Sequence, residues 1–378
     1  MIYANYAATS PALSQAVVCE LRRYVEGTHL NAGRNFEGLE AGHIALRARQ
    51  ALAKIFCVRD PLQVVFTSGA TMSLNMAING IAREGSHVIG TSIEHNAAVR
   101  PLELLRKNGF IELDWLPCNT DGSFDPQTLC KFIKPSTKLL VLSHASNVLG
   151  TILPAAECFK IAHDHGIITV LDAAQTAGVL PFDAAALQNC DVIAFAGHKG
   201  LCGLAGCGGL VLGDAAKKEM RPWLAGGTGS VSQLPEMPDF LPDRFEPGTQ
   251  NTIGILSLAA AAEEILQIGI EKIRNREHSL SKRFLSGLQT LKNVRTLGTL
   301  NPDCSVAVVS VVVDDYDPAD VSRLLFEKHG IVTRSGLHCA PQAHKTAGTF
   351  PAGTVRFSFG RQTTEQEIDA ILEILVGF

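Results

Sequence analysis

The sequence has no run of the roughly 20 apolar residues a helix needs to cross a bilayer. Met1-Ile-Tyr-Ala-Asn-Tyr6 carries no basic segment ahead of an apolar one, so no signal peptide is expected. Charge of one sign is also lacking: 33 Lys and Arg face 37 Asp and Glu, for a net charge of −4. No basic cluster offers itself to a phosphate backbone. Neither nucleic acid nor a membrane is therefore an expected partner. Ten cysteines are scattered over 378 residues without a Cys-x-x-Cys pair, which resembles neither a zinc knuckle nor a disulfide framework. No metal site is expected, and the reducing cytoplasm is the expected setting. Gly-Lys-Ser/Thr is missing too, so there is no Walker-type phosphate loop. The chain shows no internal repeat and no low-complexity tract.

What is present is the material of a folded enzyme. Hydrophobic residues make up 46% of the chain, and its length suits one large domain with a smaller one. Apolar runs predict strands at Gln63–Phe66, His87–Thr91, Ile111–Leu116, Lys138–Ser143, Ile167–Asp172, Asp191–Ala196 and Gly208–Leu212. Helical stretches such as Ser73–Ala82 and Ala97–Lys107 separate several of them, which implies an α/β fold with a mainly parallel sheet covered on both faces. Val231–Pro247 contains four prolines and little periodicity, and reads as a surface segment or lid. Helices at Ile253–Ile268 and Glu271–Leu291, a strand at Ser305–Val313 and a helix at Pro318–His329 then predict a second, α+β domain. The expected division is 12–264 for the large domain, with 1–11 and 265–378 forming the small one.

Ligands of such sheets bind beyond the carboxyl ends of the strands, so chemistry is sought there. One predicted strand ends in Asp172-Ala-Ala-Gln175, and a later one in Ala196-Gly-His-Lys199-Gly200. A strand-end carboxylate followed by a strand-end lysine is what pyridoxal phosphate requires. The amine binds the aldehyde covalently, and the carboxylate keeps the pyridine nitrogen protonated so that the ring can draw in electrons. The plainer readings are a helix N-cap for Asp172 and a surface lysine for Lys199. Five glycines from Gly200 to Gly209 would let a flat cofactor approach the backbone. Phe66-Thr-Ser-Gly-Ala70-Thr71 turns from strand into helix, a place that favours a phosphate or is simply a helix start. His95 and Asn147 end two further strands, suited to stacking on a ring and to holding an oxygen, or to ordinary turns.

These segments together resemble the class V aminotransferase-type enzymes, in the cysteine desulfurase and selenocysteine lyase group, along essentially the whole chain. The matching pieces are Asn5-Tyr-Ala-Ala-Thr-Ser-Pro11, Thr67-Ser-Gly-Ala-Thr71, Glu94-His-Asn96, Ser146-Asn147, Asp172-Ala-Ala-Gln175, Gly197-His-Lys199, Glu246-Pro-Gly-Thr-Gln-Asn251 and Arg334-Ser-Gly-Leu-His-Cys339-Ala. The resemblance implies the type I fold of pyridoxal phosphate enzymes, with a seven-stranded sheet sandwiched by helices. It implies that Lys199 carries the cofactor and moves protons, Asp172 pairs with the pyridine nitrogen and His95 stacks on the ring. Gln175 and Asn147 hold the ring oxygen or the substrate. Ala70 (through its backbone), Thr71 and His198 bind the phosphate. Thr249 reaches the phosphate of a second subunit, which implies a homodimer with shared active sites. Arg356, in Gly353-Thr-Val-Arg-Phe, clamps the substrate carboxylate with Arg334 in support. A guanidinium suits that planar, bidentate task, the competing reading being surface ion pairing.

Cys339 decides the chemistry that the resemblance implies. Its thiol would take the sulfur of L-cysteine, leaving alanine and a persulfide for an acceptor protein. That task asks for an accessible thiol on a mobile loop, favoured as a thiolate by His338 or Arg334. Without the motif, Cys339 is one cysteine among ten. The alternatives on this scaffold are a selenocysteine lyase acting on L-selenocysteine, transamination and β-elimination. Two departures from the family pattern stand out. Ala196 replaces the usual serine, removing one hydroxyl from the phosphate, and Leu204 replaces a proline. The short stretch from Arg334 to Cys339 resembles the branch whose members need a partner to remove the persulfide or act on selenocysteine.

Overall fold

The computed structural model describes residues 1–27, 39–183 and 189–378. The N-terminal part comprises strand β1 (Ile2–Tyr3) and helices α1 (Gln15–Glu26) and α2 (Leu39–Ile55). The central part alternates β2 (Val64–Thr67), α3 (Ala70–Ile81), β3 (Ser86–Thr91), α4 (Asn96–Lys107), β4 (Ile111–Leu116), β5 (Thr137–Ser143), α5 (Ala155–Asp164), β6 (Ile168–Asp172), β7 (Val192–Ala196) and β8 (Gly208–Leu212). After α6 (Asp214–Glu219) come α7 (Thr252–Ile268) and α8 (Ile270–Leu288). The remainder is β9 (Val294–Thr296), β10 (Val308–Val313), α9 (Pro318–His329), β11 (Ile331–Val332), β12 (Arg334–Gly336), α10 (Pro341–Thr346), β13 (Thr354–Ser358) and α11 (Glu365–Leu375).

Strands β2 to β8 form a seven-stranded sheet in the order β2-β8-β7-β6-β5-β3-β4. Its pairs are parallel except those made by β8, which runs antiparallel to both β2 and β7. The apolar runs are continuous because both faces are covered, and the two-residue period of a strand divides each run between two cores. Leu140, Leu142, Leu171, Ile193 and Phe195 pack with Leu52, Phe159 and Leu258 of α2, α5 and α7. Leu139, Val141, Val170, Val192 and Ala194 pack with Leu74, Ile78, Ala98 and Leu102 of α3 and α4. A second, antiparallel sheet has the order β12-β13-β10-β9. Its core joins Val309, Val311 and Phe357 to Phe284 of α8, Leu325 of α9 and Ile371 of α11. β1 pairs parallel with β11, so the first residues lie beside this later part of the chain.

All seven strands expected for the large sheet are present, with ends shifted by at most one residue. The later strand starts at Val308 rather than Ser305, because Ser305 is spent on a bridge to Thr151. Gly269 (φ +89°) ends α7, and α8 leaves at 81°, in keeping with the two helices expected there. The segment 231–247 holds no strand, as expected, but its end is not surface. Glu246 is buried, pairs with Arg49 at 2.6 Å and accepts the Phe66 N–H at 2.6 Å. Among the described residues no single helix is long and apolar enough to cross a membrane.

Candidate active site

A cavity of about 310 Å³ opens at the carboxyl ends of β5, β6 and β7. It gathers nearly every residue singled out in the sequence: Ala70, Thr71, His95, Asn147, Asp172, Gln175, His198, Lys199, Arg334 and Arg356 all line it. Strand register explains the convergence, since Ser143 and Asp172 lie side by side across β5 and β6, and Asp172 and Ala194 across β6 and β7.

Asp172 is 6% exposed, and Oδ1 accepts the Ala174 N–H at 2.9 Å. This bond is the N-cap-like reading realised, yet it satisfies one oxygen only. Burial raises the carboxyl pKa, against the pull of the Ala174 N–H and Lys199. A cation facing the other oxygen would offset that desolvation. Lys199 is shifted the opposite way: loss of water pushes its amine down to about 8, with Arg356 and Arg334 adding and Asp172 opposing. An amine in that range is nucleophilic near neutral pH. His95 caps α4, its Nδ1 accepting the Ala97 N–H at 3.0 Å, which leaves the hydrogen on Nε2. Burial and the positive charges of Lys199, Arg334 and Arg356 hold its pKa down to about 4, so it presents a neutral, flat ring to the cavity.

The start of α3 is equally specific. α3 begins at Gly69 (φ +144°) without a side-chain cap, so its first-turn N–H groups are free for an anion. Gly208 packs against that turn, and a Cβ there would sit 2.7 Å from the Gly69 Cα. His198 is fixed by Thr9, whose Oγ1 is 3.0 Å from its Nδ1. A buried carboxylate lacking a cation, a depressed amine, a neutral ring and an uncapped helix start together fit pyridoxal phosphate. Ala196 lines the same cavity, and Ser68 contributes a hydroxyl nearby.

Two arginines reach the cavity from β13 and β12. Arg356 is 1% exposed; Nη1 donates to the Asn147 carbonyl at 3.0 Å and Nη2 to Asn5 Oδ1 at 3.1 Å, while Nε is buried without a partner. Its pKa is lowered to about 10, first by burial and then by Arg334. A carboxylate arriving on that edge would supply both the missing acceptor and the missing negative charge. Arg356→Lys is accordingly expected to raise KM for an amino-acid substrate roughly 10- to 100-fold with a smaller loss in kcat, as steady-state kinetics would show. Arg334 lies opposite Arg356 across the strands and donates to Cys339 Sγ at 3.2 Å.

Four side chains have contacts or positions that the sequence did not indicate. Gln175 donates to the Ala7 carbonyl at 3.1 Å, and Asn147 Nδ2 to the His338 carbonyl at 2.8 Å, although both still line the cavity. His338 does not help the thiol ionise. It is 2% exposed, and burial, with Arg356 and His344 nearby, holds its pKa down to about 2, so it carries no positive charge. Thr249 is exposed and lies outside the Lys199 cavity, in an adjoining one of about 250 Å³. Glu94 was not singled out for a role. It is fully buried, accepting from Thr91 Oγ1 (2.5 Å), the Ser143 N–H (3.0 Å) and Ser143 Oγ (2.6 Å). It thus braces the strand end that carries His95, and a carboxylate inside a strand-end motif was the available signal.

Residues 2–371 match the family described as aminotransferase class V. The chain belongs to that family. Among its relatives, a probable cysteine desulfurase of Halalkalibacterium halodurans is 32% identical, covering 98% of this chain and 91% of that protein. A cysteine desulfurase of Escherichia coli is 32% identical, covering 98% and 92%. Among solved structures, the apo cysteine desulfurase of Thermococcus onnurineus superposes with a TM-score of 0.91 at 32% identity, covering 100% of this chain and 94% of that one. Family members depend on pyridoxal phosphate, and the cavity described above has the groups to receive it.

Proposed function

We infer that this chain is a pyridoxal phosphate-dependent cysteine desulfurase that converts L-cysteine to L-alanine and collects the sulfur on Cys339. The observation that carries the reading is the placement of Cys339: exposed, bonded to Arg334, and next to a cavity holding both an activated lysine and an amino-acid carboxylate clamp. When bound, the cofactor supplies an electron sink for negative charge at the substrate Cα. Asp172 would hold a proton at the pyridine nitrogen, Lys199 Nζ would anchor the aldehyde and move the Cα proton, and His95 would lie against the ring. Ala70, Thr71 and His198 would hold the phosphate, and Gln175 and Asn147 the polar edge of cofactor and substrate. Arg356, supported by Arg334, fixes the carboxylate and so aims the substrate sulfur toward Cys339. There one S–S bond forms and one C–S bond breaks; the released carbon takes a proton and leaves as alanine, and the thiol becomes a persulfide.

The persulfide then passes to an acceptor protein, which the exposure of Cys339 supports. The working unit is a homodimer. Trp223, Leu224, Leu234 and Phe240 are 39–55% exposed in the segment leading to Thr249, an apolar surface suited to a second copy that would bring Thr249 to the other site. The chain divides into a large unit at 12–264 and a small one at 1–11 and 265–378. The β1–β11 pairing supports the placement of the first residues. The cytoplasm is the proposed setting, in keeping with ten free cysteines.

The deciding experiment follows products from L-cysteine and L-selenocysteine in parallel, with mass analysis of the Cys339 peptide. Alanine from L-cysteine with one added sulfur on that peptide is the expected result. Pyruvate in place of alanine would indicate β-elimination and overturn the reading. Turnover of L-selenocysteine alone would make the chain a selenocysteine lyase.

A further inference from the structure

Cys339 stands on an unusual piece of backbone. His338 and Cys339 have φ of +48° and +59°, two successive non-glycine residues in the left-handed region. Such residues persist only where their surroundings hold them. The His338 carbonyl accepts from Asn147 Nδ2 and the Cys339 carbonyl from the Asn96 N–H, each at 2.8 Å. The His338 ring is held separately: Nε2 is 3.0 Å from Thr354 Oγ1, both residues being buried. Its face lies against His344, with ring centroids 5.5 Å apart at 37°. His344 is in turn fixed by its Nδ1, 2.8 Å from Thr349 Oγ1.

Thr354 is the informative end of this chain of contacts. It lies two residues before Arg356 on β13, so the two side chains share one face of the strand. β12 pairs with β13 so that Arg334 faces Arg356 and Gly336 faces Thr354. The approach is close, since a Cβ on Gly353 would lie 2.3 Å from the Gly336 carbonyl carbon. One strand therefore holds both the carboxylate clamp and the anchor of the sulfur-receiving loop.

We propose that the His338–Thr354 hydrogen bond, backed by the His344 ring, is a positioning device that sets the reach between Arg356 and Cys339. The inference rests on the roles given above to those two residues. The substrate carboxylate and its sulfur are separated by a fixed covalent length, so a thiol registered to the carboxylate clamp is registered to the sulfur. His338 and Thr354 are positioning residues; neither need touch the substrate. His338 stays neutral across the working pH range, so the bond keeps its form.

Thr354→Val removes the hydroxyl at nearly constant volume, and Thr354→Ser restores it. In the holoenzyme, Thr354→Val is expected to lower kcat for alanine formation from L-cysteine about tenfold, the scale of a sub-ångström misplacement. KM should stay within about twofold, because uniform binding is untouched. Exchange of the Cα hydrogen of L-alanine with deuterium oxide needs Lys199 but not Cys339, and should be unchanged. In the apoprotein, alkylation of Cys339 by iodoacetamide should accelerate about threefold or more as the loop is released. Thr354→Ser should return both readouts to near wild type. Equal loss in alanine formation and in Cα exchange, or no loss in either, would overturn the proposal. If Thr354→Val does not fold, His344→Leu carries the same test with Thr354 in place. A separate failure, sulfur transfer surviving Cys339→Ala, would remove the role of the thiol itself and not merely its mount.

Discussion

Lys199→Ala is expected to reduce alanine formation by roughly four orders of magnitude, since general acid–base catalysis alone contributes roughly 10²- to 10⁴-fold and covalent anchoring is lost with it. The substitution removes the single amine that the cavity brings near Asp172. The same environment makes a second, sharper statement about pH. The amine is reactive when neutral, and desolvation lowers its pKa to about 8. Below that value the neutral fraction falls about tenfold per pH unit, so covalent uptake of pyridoxal phosphate by the apoprotein should climb with pH and level off just above 8. An ordinary lysine, with a pKa of about 10.4, would keep climbing past pH 10. Stopped-flow absorbance of the apoprotein mixed with cofactor reads the curve directly, and a rise continuing to pH 10 would show that the amine is not desolvated. Lys199→Ala should still bind the cofactor, more weakly, through the α3 terminus and Asp172.

Cys339→Ala is expected to abolish sulfur release from L-cysteine, by about 10³-fold or more, while leaving cofactor binding and Cα hydrogen exchange near wild type. Lys199, Asp172 and Arg356 line the cavity, whereas Cys339 is exposed and outside its lining, so the roles proposed on the carbon skeleton and on the sulfur fall to different residues. Removing a nucleophile that forms the intermediate eliminates that route, and among the described residues no cysteine lines the cavity itself to replace it. Cys202 and Cys207 are close in sequence to Lys199 but buried, with pKa values raised by burial, and Cys202 contacts Ser10 Oγ at 3.2 Å. A product assay comparing alanine, sulfide and deuterium incorporation separates the duties. Parallel collapse of all three would show that Cys339 instead supports the fold of the site.

Much of the site was legible because its residues occupy strand ends. A five-residue apolar run closing on Asp172, and another leading to Lys199, carry their own structural context, and parallel pairing then places both at the same sheet edge. The arginines were legible only by family pattern. Arg356 lies inside a fully buried strand of the smaller sheet, and its distance in sequence from Asn147 and Asn5 conceals the contacts it makes with both. Glu94 was hidden by its neighbour, since a buried carboxylate accepting three hydrogen bonds looks in sequence like any loop acid. His338 was misjudged for the same reason: imidazole beside a cysteine suggests charge, and only burial reveals that it stays neutral.

The sequence by itself determined the seven-stranded α/β layer and the placement of Asp172 and Lys199 at neighbouring strand ends, because these are properties of periodicity and of local motifs. Tertiary structure alone decided how the pieces meet. It lowered the Lys199 pKa, left one edge of Arg356 without a partner, and tied the His338 ring, next to Cys339 in sequence, to the strand that carries Arg356. Those outcomes depend on water excluded and charges assembled from segments more than a hundred residues apart, as in the contact of Asn147 with His338, separated by 191 positions. Desolvation and long-range register are collective, so no single stretch of sequence contains them.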